Sequence, residues 1–154
     1  PFGDMIATGT LTGQQLLDVL EFSVSSLPSE SGAFMQVSGL KFEVNPSIQS
    51  PVVKDPETAM YSHVGEGVRR VSNVEVLDKQ SGEYMAVDLS RTYTMATLDY
   101  LILEKGGSAI FSHVKSDDIY WGADIEILRH YLESNLGGCI GNEYGKPQGR
   151  IVFK

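Results

Sequence analysis

The sequence is short of three things, and each shortage removes a class of protein. It holds a single cysteine, Cys139, so no internal disulfide framework can staple the fold. That residue sits in Gly137-Gly138-Cys139-Ile140-Gly141 and reads either as a small buried or idle thiol or as the partner of a cysteine upstream of Pro1. No apolar run approaches the roughly 18–20 residues of a membrane-spanning helix. Pro1-Phe2-Gly3-Asp4 is not a signal peptide, so the expectation is a chain that starts after processing or inside something longer. Basic residues are the third scarcity. Twelve Lys and Arg face twenty Asp and Glu, a formal net charge of −8, and only Arg69-Arg70 are adjacent. A nucleic-acid partner, which wants a basic stripe along its phosphates, is not expected on that balance.

Catalytic motifs are equally thin. His63, His113 and His130 stand far apart, none with a second ligand at metal-site spacing. Gly-x-Ser-x-Gly is absent, and so is a phosphate-cradling glycine loop, for which Gly106-Gly107 alone is too short. By elimination the chemistry of a reaction is expected to lie outside this chain.

What is present is an ordinary globular composition. The 154 residues are 42% hydrophobic and 21% charged, enough for one domain, residues 1–154, with a proper core. Thr12-Gly13-Gln14-Gln15 fits a capping box, and Leu16, Val19, Leu20 and Val24 follow at helical spacing. The pattern predicts a helix over Gln14–Ser25, stopped by Leu27-Pro28 and Gly32. Leu40, Phe42 and Val44 alternate with Lys41 and Glu43, as on a half-buried strand; Val74–Val76 and Thr92–Thr97 read the same way. From Ser47 to Gly67 no periodicity is sustained, which predicts a long surface loop. A second helix is expected over Asp124–Asn135, with Ile125, Leu128, Leu132 and Leu136 on one face and Gly137-Gly138 as its stop. Arg150–Phe153 suits a last strand. The fold class that results is α/β of the α+β type: a single domain with a mixed β-sheet, its two helices packing Leu16, Leu20, Leu128 and Leu132 on the sheet.

Two aromatic residues fall outside the periodic elements, Phe2 and Tyr100. A ring at a strand end most often packs in the core or at its rim. Two such rings face to face would instead form a slot for a flat base. Both readings stand at this point.

Several motifs together resemble one family. Pro1-Phe2-Gly3, the step Gly9-Thr10-Leu11-Thr12-Gly13 and the run Gly32-Ala33-Phe34-Met35-Gln36-Val37-Ser38-Gly39 are similar to signatures of the C-terminal domain of the 5′-nucleotidase, UDP-sugar hydrolase and apyrase family. Arg70-Val71, Val74-Glu75-Val76, Tyr93–Thr97 with Asp99-Tyr100-Leu101, and Gly149-Arg150-Ile151 continue the likeness across the chain. The resemblance implies a substrate-recognition domain that clamps a nucleotide's base between two rings, here Phe2 and Tyr100, with Gly3, Asp99 and Ser108 beside them. It also implies a partner, an N-terminal metallophosphoesterase domain absent from this chain, with two divalent metals, zinc being the expected ion, that activate water for attack on the phosphate. No cofactor is expected within the chain itself, and a homodimer is left open.

The sequence departs from the family pattern at one site residue. Where relatives have Gly-Gly-Asp-Gly, this chain has Gly106-Gly107-Ser108-Ala109, and Ser108 replaces a carboxylate that accepts from ribose. A neutral acceptor is weaker by roughly 1–2 kcal/mol. The family's Asn-Gly-Gly-x-Arg segment, which precedes Pro-Phe-Gly, is not in this sequence. Two functions follow as expectations: the nucleoside-recognition domain of an extracellular nucleotidase or apyrase, secreted or formerly membrane-anchored, or a secreted nucleotidase-like binding protein without turnover. The Ser108 departure favours the second, and the rest of the pattern favours the first.

Overall fold

A computed structural model describes residues 3–58, 60–103 and 109–154. Its centre is a helix held between two sheets. Strand β1 (Met5–Thr12) runs straight into helix α1 (Gly13–Ser23) through the expected capping box. The Gln15 amide donates to Thr12 Oγ1 at 3.2 Å, and the Thr12 amide donates to Gln15 Oε1 at 2.7 Å. Leu16, Val19, Leu20 and Val24 are buried as their spacing predicts. Each such side chain withdrawn from water contributes about 1.5–3 kcal/mol.

Sheet topology puts α1 in contact with both halves of the protein. One antiparallel sheet has the order β7-β1-β8, with β7 spanning Thr92–Leu98 and β8 spanning Lys115–Ala123. The other has the order β6-β5-β2-β9, from Tyr84–Ala86, Val71–Leu77, Leu40–Val44 and Ile151–Phe153. It is mixed, because β9 lies parallel to β2 while β5 is antiparallel to both its neighbours. One core joins them: Leu11 from the first sheet, the α1 stripe, and Phe42, Val44, Val71 and Val74 from the second. Strand β5 carries a bulge that the alternation does not announce. Asn73 adopts φ 50° and inserts an extra residue between the pairs Lys41–Glu75 and Glu43–Ser72. The insertion lets Val71 and Val74, three apart, face the same core.

Two expectations are corrected. The stretch from Ser47 to Gly67 is not simply a loop; it contains a hairpin, β3 (Val52–Lys54) with β4 (Tyr61–Val64). Tyr61, 7% exposed, sets its ring edge-on against Phe22 of α1 with centroids 5.3 Å apart. Strands this short hold too few residues for alternation to register. The second helix forms as α3 (Asp124–His130), runs into a π-helical turn (Tyr131–Asn135) and ends at Gly137 and Gly138 with positive φ. Its apolar face does not pack on the sheet, however: Ile125 is 63% and Leu128 53% exposed, and Leu132 is half-buried. Spacing identifies which face of a helix is apolar and says nothing of whether a partner covers it. Cys139 is exposed, which sets aside the reading of a buried thiol.

Candidate functional site

The β7-to-α2 junction carries two of the expected site residues, Asp99 and Tyr100. Helix α2 (Asp99–Leu103) begins where β7 leaves the sheet. The β1–β7 ladder ends at the pair Ile6–Leu98, so Asp99 stands where Met5 would look for its next partner. Its carboxylate supplies one: the Met5 amide donates to Asp99 Oδ1 at 3.0 Å, and the Tyr100 amide donates to the same oxygen at 2.8 Å. A single carboxylate oxygen thus joins the start of β1 to the start of α2, across 94 positions of sequence.

Tyr100 follows directly and is 43% exposed, a large ring held outside the core. Near it in sequence, Ile102, Ile110 and Phe111 are buried. On the β1 side, Gly3 takes φ 79°, with open space where a Cβ would stand. Glycine is needed there for its backbone conformation, since an L side chain rarely tolerates that φ. The Asp4 carbonyl accepts from the Asp124 amide at 3.0 Å, which fixes the chain entering β1 beside the start of α3. Gly3, Asp99 and Tyr100 are therefore ordered around one corner of the fold. Phe2 and Ser108, the other two residues of the expected site, lie outside the described residues.

The glycines of the Gly9–Gly13 step have steric reasons of their own. A Cβ on Gly9 would come within 2.8 Å of Val114 Cγ1 and 3.0 Å of the Lys115 carbonyl, so Gly9 allows β8 to close on β1. A Cβ on Gly13 would meet the Asp88 carbonyl oxygen at 2.1 Å. The segment that crowds it also caps α1: the Gly13 and Gln14 amides donate to the carbonyls of Arg91 and Leu89 at 2.9 and 3.0 Å.

Two buried charges escaped the sequence reading. Glu21 of α1 is fully buried, and its two carboxylate oxygens accept from the amides of Arg70 and Val71, each at 3.0 Å. The Arg70 guanidinium donates to the carbonyls of Val24, Ser25 and Leu27 at the end of α1, and to that of Ile48. The signal for Glu21 is visible in retrospect, an acid one turn after Leu17 on the apolar stripe. Among the described residues, no three His, Cys, Asp or Glu side chains converge as a metal-holding group. Two open cavities lie away from Tyr100. One, of about 260 Å³, is bounded by Ser26, Pro28 and Phe34; the other, of about 450 Å³, by Gln36, Lys146 and Arg150.

A family model described as "5′-nucleotidase, C-terminal domain" matches residues 1–115. The chain is 30% identical over 128 residues to the NAD 5′-nucleotidase of Haemophilus influenzae, covering 80% of this chain and 18% of that protein. It is 24% identical over 152 residues to a trifunctional nucleotide phosphoesterase of Bacillus subtilis, covering 98% of this chain and 9% of that one. Among solved structures, the 5′-nucleotidase precursor of Thermus thermophilus superposes with a TM-score of 0.72 at 23% identity, over 99% of this chain and 26% of its own. That last likeness is one of fold. The chain spans less than a fifth of either sequence relative's length.

Proposed function

Because the chain belongs to the 5′-nucleotidase C-terminal domain family, we propose that it holds the nucleoside of a nucleotide whose phosphate is cut by a separate domain. The observation that carries this reading is the exposed ring of Tyr100, on a backbone that the Asp99 carboxylate ties to β1. A ring exposed outside the core, on an anchored backbone, offers a face on which a flat base can stack. Phe2, three residues before the start of the strand that Asp99 ties down, is the second ring of the clamp in this proposal. Gly3 follows it directly in sequence, and in this proposal Ser108 accepts from ribose.

Cleavage belongs to an N-terminal metallophosphoesterase domain with two divalent metals, zinc being the expected ion. The described residues of this chain bring no three His, Cys, Asp or Glu side chains together to hold such metals. The parent protein is proposed to act on extracellular nucleotides, secreted or formerly anchored. The second reading, a nucleotidase-like binding protein without turnover, draws on Ser108 in place of the family's carboxylate.

Calorimetric titration with adenosine tests the clamp. Tyr100→Ala should weaken binding by about 1–3 kcal/mol, the usual worth of one stacked base. Ser108→Asp should tighten it by restoring a charged acceptor. Unchanged adenosine binding in Tyr100→Ala would remove the clamp and leave only the family.

A further inference from the structure

Two family-like motifs stand outside the proposed nucleoside clamp, the run Gly32–Gly39 and the triplet Gly149-Arg150-Ile151. The structure brings them together. Gln36 and Val37 of the first and all three residues of the second line the cavity of about 450 Å³, which the segment 144–148 closes. Lys146 and Arg150 both line it, in a chain whose formal net charge is −8.

Arg150 is the unusual member. Its backbone is fixed, because its carbonyl accepts from the Phe42 amide at 2.9 Å where β9 joins β2. Its side chain is half-buried, yet among the described residues it makes no hydrogen bond or ion pair. Of the other two half-buried or buried arginines, Arg70 is committed to four carbonyls, and Arg69 pairs with Asp18 through Nη2 while its Nη1 is buried without a partner. A guanidinium carries five donors in a planar fork that matches an oxyanion, and partial burial strengthens its pull on one. The acid nearest in sequence to this segment is Glu143, which is exposed and forms no ion pair with either cation. The rest of the lining suits a hydrated oxyanion: the amide of Gln36, and Tyr144, whose hydroxyl is 2.7 Å from that of Tyr131. Gln148 is already engaged, donating through Nε2 to the Glu143 carbonyl at 2.7 Å.

We propose that this cavity is an anion subsite, distinct from the Tyr100 corner, that takes a phosphate-class oxyanion on the Arg150 fork with Lys146 as the second charge. Its motifs meet on the far side of the β6-β5-β2-β9 sheet order from β6, at the β9 edge. It therefore stands whether or not Tyr100 holds a base.

The test is a backbone-amide NMR titration of the 154-residue chain with inorganic phosphate, against potassium chloride at matched ionic strength. Phosphate, and not chloride, should shift the amides of Gln36, Val37, Arg150 and Ile151. Arg150→Met should weaken that binding about tenfold or more, the loss of a charge-assisted pair, and Lys146→Gln by a smaller factor. Tyr100→Ala should leave it unchanged. Adenosine monophosphate and adenosine then separate the sources. An Arg150-dependent gain for the monophosphate over inorganic phosphate marks a nucleotide's phosphate, and equal affinity marks free phosphate. If Arg150→Met does not fold, the Lys146→Gln variant and the wild-type shift map decide. Shifts that chloride reproduces, that spare these four residues, or that survive in Arg150→Met would overturn the assignment.

Discussion

Replacing Glu21 by glutamine changes one atom's chemistry in the most buried polar group described. The carboxylate sits on α1 with no exposure, and each of its oxygens accepts a backbone amide, from Arg70 and from Val71. A glutamine side chain has the same shape but a single acceptor oxygen, so its NH2 must face one of the two amides, donor against donor. Losing one charge-assisted bond costs about 1.5–3 kcal/mol, and leaving a buried amide unpaired costs about 1–3 kcal/mol more. Some of the second cost is relieved by local movement, so Glu21→Gln should lose about 3–5 kcal/mol. The control is Asp18→Asn, which breaks the partly exposed Arg69–Asp18 pair and should cost no more than about 1 kcal/mol. Urea unfolding followed by tryptophan fluorescence reads both, the midpoint falling while the slope is kept. On heating, the Glu21→Gln loss should appear as a drop of roughly 10 °C in Tm. A Glu21→Gln midpoint no lower than that of Asp18→Asn would refute the reasoning, because the buried carboxylate would then carry no more than a surface charge does.

Three further outcomes are expected. Gly13→Ala should destabilise the protein by about 1–3 kcal/mol through overpacking against the Asp88 carbonyl, although the same change in a free helix would help by about 1 kcal/mol; thermal melting gives the sign. Asp99→Asn should keep adenosine binding, since its amide oxygen can still accept from Met5 and Tyr100, whereas Asp99→Ala should weaken it with Tyr100 intact; calorimetry of the two variants would show otherwise if the bridge did not position the ring. Hydrogen bonds from the Ser90 hydroxyl and then its amide hold the Asp88 carboxyl below the usual aspartate range. The turn it braces is therefore at full strength above that range and loosens as the pH falls through the lowered value; Ser90 amide shifts should follow this, and Asp88→Asn should abolish the dependence.

Features that depend on local chemistry could be read from the sequence. The capping box at Thr12 and Gln15 needs residues three apart and closes in both directions. Strand β2 occupies the predicted Leu40–Val44, because its alternation is unbroken. Features that depend on distant pairing could not. The bulge at Asn73 exists only relative to β2, and the hairpin of β3 and β4 spends too few residues to show a period. The exposed face of α3 has the same origin, since Ile125 and Leu128 look identical in sequence whether covered or not. At the site, Asp99 and Tyr100 were found as a motif, but the bond from Met5 to Asp99 rests on the β1–β7 register and has no local trace.

Helix α1 has no loose end. At its start, the amides of Gly13 and Gln14 are taken up by the Asp88–Arg91 turn and that of Gln15 by Thr12; at its finish, Arg70 gathers the carbonyls of Val24, Ser25 and Leu27. Helices ordinarily begin to melt by fraying where such groups face water. Here the turn before β7 grips one end and β5 grips the other, so neither can come free without disturbing a different sheet. The helix behaves as an axle seated in two bearings. The two sheets are thereby tied through one helix, the first at its start and the second, through Glu21 and Arg70, at its finish.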